Sequence, residues 1–287
     1  MATVSQTNPS DADHETGSRI SSLPLVSAWL GDTLSYLETL CLTSMVSFGH
    51  KVVLYSYSDT LTVPNGVDLR DAADIMPREQ FSRYANGSYA LGSNLFRYEL
   101  FARFPCIWVD TDMLLLRPIP ELADYIYGWE DASYINTAVL SIPASSPMLC
   151  EMLALVAESP FFAPWWDETQ KSKQEEAVRR QAPLGLSDLP WATTGPKLVT
   201  YLAIKHEVAR FAATPETFYP VHWRDYRLPF EPRDQVTASL REHTIGVHLW
   251  NHMLGSLKFA PAADSFISDQ CRAHGIAPPD IDGSGHE

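Results

Sequence analysis

The sequence is poor in the features that mark several large protein classes. Its four cysteines, Cys41, Cys106, Cys150 and Cys271, are scattered. None forms a CxxC pair, so neither a disulfide scaffold nor a clustered thiolate metal site is expected, and reduced core cysteines are. Apolar runs are short: none reaches the roughly 18 residues of a membrane-spanning helix, and the opening "MATVSQTNPSDADHETGSRISS" has no apolar leader. The expectation is a cytoplasmic protein without a transmembrane segment. Basic residues are also scarce, with 21 Lys and Arg against 35 Asp and Glu and a formal charge of −14. That balance repels phosphate backbones and argues against nucleic acid as a partner. Any phosphorylated ligand must be met locally, by a metal or by a few bases. No GxGxxG or P-loop accompanies the first strands.

What is present is an apolar and aromatic chain, 45% and 11% of 287 residues, enough for a sizeable core. Residues 1–22 and 277–287 are polar, and both are expected to be disordered tails around one folded unit, 23–276. The unit opens with "LPLVSAWLG", a strand, and "DTLSYLETLCLTSMVSFG", whose Leu34, Leu37, Leu40, Cys41 and Met45 recur at helical spacing. "KVVLYSYSD" completes a β-α-β unit, which predicts an α/β fold with a mainly parallel central sheet flanked by helices. "GSNLFRYELFARFP" reads as a helix with Ser93 as N-cap. "SYINTAVLSIP" alternates like a strand, "SPMLCEMLALVAE" like a helix, and "TIGVHLWNH" like a late buried strand. Residues 159–192 carry the run "DETQKSKQEEAVRRQ" and suit a surface helical insertion; the "FFAPWW" ahead of it is a lid, an acceptor site, a membrane-peripheral patch or core packing.

The chemistry concentrates in "CIWVDTDMLLLRPIP", residues 106 to 120. A buried carboxylate needs compensation, and here two of them, Asp110 and Asp112, interrupt an apolar run. Two further Asp-x-Asp pairs, Asp11 with Asp13 and Asp280 with Asp282, lie in the polar tails and read as solvated charge. In an extended segment residues i and i+2 face one way, at the strand end where open α/β sheets bind ligands. Paired carboxylates there suit Mg²⁺ or Mn²⁺, with a diphosphate as a further ligand; turn capping or a salt bridge to Arg117 is the bland alternative. Asn94 and Arg97 share a helix face that could project toward the same strand end. His248 and Trp250 alternate in "VHLWN", which places imidazole and indole on one side of a strand. Glu130, Asp131 and Asn136 bracket the following strand and are equally consistent with turn chemistry.

The block "SNLFRYELFARFPCIWVDTDMLLLRPI" resembles the DXD-containing sugar-transferase family. These are retaining GT-A glycosyltransferases that include Golgi α-mannosyltransferases and α-1,4-galactosyltransferases, with the glucosylating clostridial toxins as more distant relatives. "LVSAWLG", "INTAVLSIP", "TTGP" and "HLWN" resemble further family segments in order, covering about 23 to 255. The resemblance implies a GT-A-like nucleotide-diphospho-sugar transferase fold. It implies Asp110, Asp112 and His248 as ligands of Mn²⁺ or Mg²⁺, Asp110 and Asp112 with Arg97 as catalytic residues, and no assigned covalent nucleophile. Trp29, Ser93, Asn94, Arg97, Asp110 and Trp250 would bind the donor; Glu130, Asp131 and Asn136 would approach the acceptor or sugar. One departure stands out. Asn94 occupies the place of the family's usual Asp, and an amide loses the charge that pairs with Arg97.

The expected reaction is metal-dependent, retaining transfer of a hexose from a nucleoside diphosphate sugar, UDP-hexose ahead of GDP-mannose, to a saccharide or glycoconjugate hydroxyl. By family analogy it serves polysaccharide assembly. A non-catalytic sugar-nucleotide-binding module is the alternative. A haloacid-dehalogenase-type phosphatase is a weaker one, because Leu114 stands where its nucleophile motif has Thr or Val.

Overall fold

Strand β1 (Leu25–Trp29) lies between two parallel neighbours, Leu25 pairing with Val52 on one side and with Ile107 on the other. It belongs to a computed structural model that describes residues 20–277 apart from 122, 123 and 260. Helix α1 (Tyr36–Ser47) follows, started by a capping box in which Ser35 and Glu38 exchange hydrogen bonds with each other's backbone. Gly49, at φ 82°, lets the chain leave the helix. Strands β2 (Val52–Ser56) and β3 (Val67–Asp71) extend the sheet. Helix α2 (Ala90–Arg103) leads into β4 (Ile107–Val109), and the short β5 (Met113–Leu115) comes next. Strands β6 (Ile126–Trp129) and β7 (Ile135–Ser141) complete the main sheet in the order β3-β2-β1-β4-β7-β6. It is parallel from β3 to β4 and antiparallel from β4 to β6.

Alternate residues of β1 and β4 feed opposite sides of the sheet. Val26 and Trp108 join a cluster with Phe96, Tyr98 and Phe101 of α2, while Leu25, Ile107 and Val109 join one with Met45 and Leu54. Both faces are therefore covered, which explains why these strands read as continuous apolar runs. Helices α3 (Pro147–Ala157) and α5 (Leu198–Lys205) pack with α2 on the first side. A third cluster, with Leu37, Leu40 and Cys41 of α1, Leu114 of β5, and Ile267 and Cys271 of the C-terminal helix Phe266–Ala273, encloses β5 and its antiparallel partner β8 (Gly246–His248).

Several expectations change. Of the expected N-terminal tail, residues 1–19 lie outside the described residues, but Ile20 bridges Pro120 and the Ser21 N–H donates to the Ile119 carbonyl at 3.0 Å. The acidic pairs at 11–13 and 280–282 and the tail from 278 also lie outside the described residues. Helix α2 begins at Ala90, three residues before the expected cap Ser93. The expected insertion contains helix α4 (Glu168–Arg179), anchored by the buried Gln174, whose amide bonds to Phe161 and Leu184. Phe161 and Trp166 of "FFAPWW" are buried in the first cluster, so these two serve packing. The cysteines are all unpaired thiols, with Cys150 on the surface and not in the core. No helix among the described residues is long and apolar enough to cross a membrane.

Candidate active site

The chain turns sharply where β4 ends. The Asp110 N–H donates to the Ala138 carbonyl (2.7 Å), and the Met113 N–H donates back to the Asp110 carbonyl (3.0 Å), closing a turn over Thr111 and Asp112. The two carboxylates are brought together by this turn, not by the alternation of a continuing strand. The reason is topological: β4 ends its pairing with β7 at Val109, and the chain next pairs with β8. The turn sits at the C-terminal end of β4, where the sheet order departs from β1 in opposite directions, the location at which open α/β sheets bind ligands.

Each carboxylate has its own set of partners. Asp110 Oδ1 accepts from the Trp108 indole N–H (2.6 Å) and from Arg97 Nη2 (3.3 Å). Arg97 is buried on α2, donates to the Ser93 carbonyl (3.2 Å), the Ser93 hydroxyl (3.1 Å) and the Thr137 carbonyl, and lies 4.6 Å from the centre of the Trp108 ring. A buried guanidinium needs such a set of acceptors, and a planar fork stacked on an indole is a geometry lysine cannot copy. Ser93, misjudged as a helix cap, therefore serves the site by holding Arg97.

Asp112 Oδ1 lies 3.2 Å from His248 Nε2, and its Oδ2 accepts from the Asn251 N–H at 3.0 Å. Burial alone would push this carboxyl up. The adjacent imidazole, its hydrogen bond and the Asn251 N–H outweigh that and hold it at about 2. Burial likewise opposes charge on His248, yet the facing Asp112 raises its pKa above the ordinary histidine range. Trp250 comes beside His248, ring centres 4.0 Å apart, through a left-handed turn (φ 52°) after the strand has ended, so the expected strand alternation is not the cause. The Asn251 amide donates to Glu38 Oε1 (2.5 Å), which also accepts from Lys258 Nζ (2.9 Å). The α1 capping box thus reaches the acidic pair through Asn251.

Donor atoms of Asp110, Asp112 and His248 lie within 4.8 Å of one another. Two carboxylates and one imidazole are a hard oxygen set with a borderline nitrogen, suited to Mn²⁺ or Mg²⁺. His248 Nδ1 is buried without a hydrogen-bond partner, so the imidazole is incompletely satisfied by protein atoms alone. These residues fit a divalent ion.

A cleft of about 700 Å³ opens over this cluster. Asn94, Arg97, Asp110, Asp112, Asn136 and His248 all line it, as does Trp250. Asn94 donates to the Thr194 hydroxyl (3.2 Å), in a wide π-type turn over Thr193–Lys197 that runs directly into α5. A Cβ at Gly195 would lie 2.9 Å from the Asn94 amide nitrogen, so a larger residue there would displace that amide. Trp29 does not line the cleft; its indole donates to the Thr33 carbonyl beyond the end of β1. Nor do Glu130 and Asp131. Asp131 caps the turn N–H groups of Ser133 and Tyr134, and Glu130 accepts from the Asn136 amide at 2.6 Å, its own pKa raised by burial. With His222 they form a second acidic group within 4.8 Å. Sequence reasoning missed Trp108, Thr137 and Glu38, although the spacing Ser35-x-x-Glu38 carried a capping-box signal.

Residues 187–274 match the family described as the alpha 1,4-glycosyltransferase conserved region. That match supports a glycosyltransferase. The matched region supplies Thr194, His248, Trp250 and Asn251, while Arg97 and the acidic pair come from outside it. No curated protein matches the sequence. Among solved structures it is similar to one titled PaToxG Glycosyltransferase, with 10% identity and a TM-score of 0.41 over 93% of this chain and 83% of that chain.

Proposed function

We propose that the enzyme moves a hexose from a nucleoside diphosphate sugar, UDP-hexose in preference to GDP-mannose, to a hydroxyl of a saccharide or glycoconjugate, with retention of configuration and dependence on Mn²⁺ or Mg²⁺. The observation that carries this reading is the convergence of Asp110, Asp112 and His248 from two distant segments at the floor of one cleft. Charge supports it further. Among the described residues lining the cleft, Arg97 is the one lysine or arginine, and it already faces Asp110. A diphosphate entering beside two carboxylates needs additional positive charge.

A divalent ion held by Asp110, Asp112 and His248 would supply Lewis-acid neutralisation of the charge that grows on the leaving diphosphate. The protein's own part is positional. Trp108 and Arg97 fix the Asp110 carboxylate, His248 and Asn251 fix that of Asp112, and the amides of Asn94 and Asn136 offer hydrogen bonds to sugar hydroxyls at the same floor. The bond from the anomeric carbon to the diphosphate oxygen breaks with its electron pair leaving on that oxygen. The acceptor oxygen forms the new bond, and its proton passes to the departing diphosphate. Both carboxylates lining the cleft are engaged by other groups, which favours this same-face route over a covalent glycosyl-enzyme.

The test is nucleotide release from a panel of UDP- and GDP-hexoses with Mn²⁺, with EDTA, and with Asp112→Asn. Release from one donor that requires the metal and is lost in the variant is the expected result. Equal release with EDTA overturns metal dependence, and neither release nor nucleotide binding with any donor overturns the sugar-nucleotide reading.

A further inference from the structure

The mouth of the cleft carries two aromatic side chains that touch neither carboxylate of the acidic pair. Tyr89 is 41% exposed and Trp191 49% exposed, and both line the cleft. A single exposed aromatic is ordinary; the backbone beneath Trp191 is not. The Pro190 carbonyl accepts from the Thr193 N–H (3.2 Å) and the Thr193 hydroxyl (2.7 Å), closing a turn with Trp191 and Ala192 at its corner. Ala192 sits at φ 73°, a conformation that costs a residue with a Cβ and that turns normally assign to glycine or asparagine. The same residue's carbonyl accepts from both Gly195 and Lys197 N–H groups, so the turn is fastened on each side. Of the four described non-glycine residues with positive φ, Ala192 and Trp250 both line the cleft. Local strain of this kind, held by surrounding bonds, is typical of ligand-gripping segments.

Tyr89 is braced differently. The Arg83 guanidinium lies 3.9 Å from its ring centre and also donates to its hydroxyl, while Phe81 meets the ring edge-on at 6.3 Å. Around these two aromatics the lining residues Asn86, Ser88 and Pro196 are neutral, and the His252 ring lies 6.1 Å from that of Trp191. A neutral rim with exposed ring faces and amide and hydroxyl groups suits a ligand that combines an apolar C–H face with hydroxyls. A pyranose has that chemistry. A nucleobase also stacks on rings, and the UDP titration below separates the two.

We infer that Trp191 and Tyr89 form the acceptor platform, on which a pyranose ring of the saccharide acceptor stacks while its hydroxyl reaches the floor. This rests on the sugar-transfer reading above, and it assigns the acceptor to the carbohydrate class through residues outside the metal cluster.

The experiment titrates methyl β-D-glucopyranoside, methyl β-D-galactopyranoside and methyl α-D-mannopyranoside into the full chain with Mn²⁺ and UDP present. UDP is titrated separately into the Mn²⁺-loaded protein. Wild type, Trp191→Leu and Trp191→Phe are compared. The expected result is saturable binding of at least one glycoside, weakened roughly tenfold by leucine and within about threefold by phenylalanine, as loss of ring stacking dictates. UDP affinity stays the same in all three. The platform is overturned if wild type binds none of the glycosides, or if the leucine variant binds them as well as wild type does. It is equally overturned if that variant loses UDP affinity, which would put the indole on the nucleotide. Indole-dependent glycoside binding in a protein that ignores UDP would uphold the platform and sink the sugar-nucleotide reading instead.

Discussion

At the floor of the cleft Arg97, Asp110 and Asp112 each meet a partner from another stretch of chain: Thr137 holds Arg97, Arg97 holds Asp110, and Asn251 and His248 hold Asp112. At the rim Tyr89 and Trp191 stay partly exposed to water, and what is fastened is the backbone or one ring face beside them. On the proposed sugar transfer, the difference follows from ligand charge. Groups that face developing charge work best when they are already oriented and need no reorganisation, so they are crowded and buried. Surfaces that meet a neutral ring gain by removing apolar area from water on binding, so they stay exposed until the ligand arrives.

The largest break in this comparison comes from Asp112→Asn, which removes a proposed metal ligand and the charge facing His248. Metal-dependent nucleotide release should fall by about 10³-fold or more, measured with saturating Mn²⁺. Arg97→Lys comes next. It keeps the charge but not the fork or the stacking on Trp108, so activity should drop roughly 10- to 100-fold and stability by about 2 kcal/mol in urea denaturation. Glu38→Gln touches neither ligand nor cleft, yet it leaves Lys258 without its buried carboxylate partner. Stability should fall by about 3 kcal/mol, and Mn²⁺ affinity by roughly tenfold through Asn251.

Acid sharpens the contrast further. In the metal-free protein Asp112 is held at about 2, below its ordinary 3.8. The stability that this carboxyl contributes with His248 is therefore present above 3.8 and lost as pH falls through 2. Asp112→Asn should flatten that arm of the stability profile, and Trp191→Leu should leave it unchanged. The smallest expected effect belongs to the rim itself: Trp191→Leu should shift stability by less than about 0.5 kcal/mol, as an exposed position does.

Much of this could be read in advance because the parallel half of the sheet is local in sequence. The apolar periods of β1, α1 and β2 and the turn residue Gly49 are each contained in a short window. The acidic pair was visible for the same reason, since burying charge in an apolar run needs an explanation wherever it occurs. What escaped depends on long-range pairing. Nothing near Asp110 announces that the chain will leave β4 for β8, so an extended geometry was expected where a turn exists. Ser93 has the chemistry of a cap, but the helix gains a turn before it, and the hydroxyl is used by Arg97. Trp29 closes on its own loop through Thr33, a contact of four residues that competes with any outward role. Trp191 lies in an irregular stretch with no period to reveal which way its turn points it.

The pairing of β5 with β8 has a consequence in time. Asp112 and Asn251 are 139 residues apart, and Glu38 and Lys258 are 220 apart. Closing loops of that length is slow, and during synthesis the N-terminal strands and α1 emerge long before their partners. The sheet can gather its first strands while the ligand set is still incomplete. The proposed ligands Asp110, Asp112 and His248 therefore come together only when nearly the whole chain has been made and has found its register.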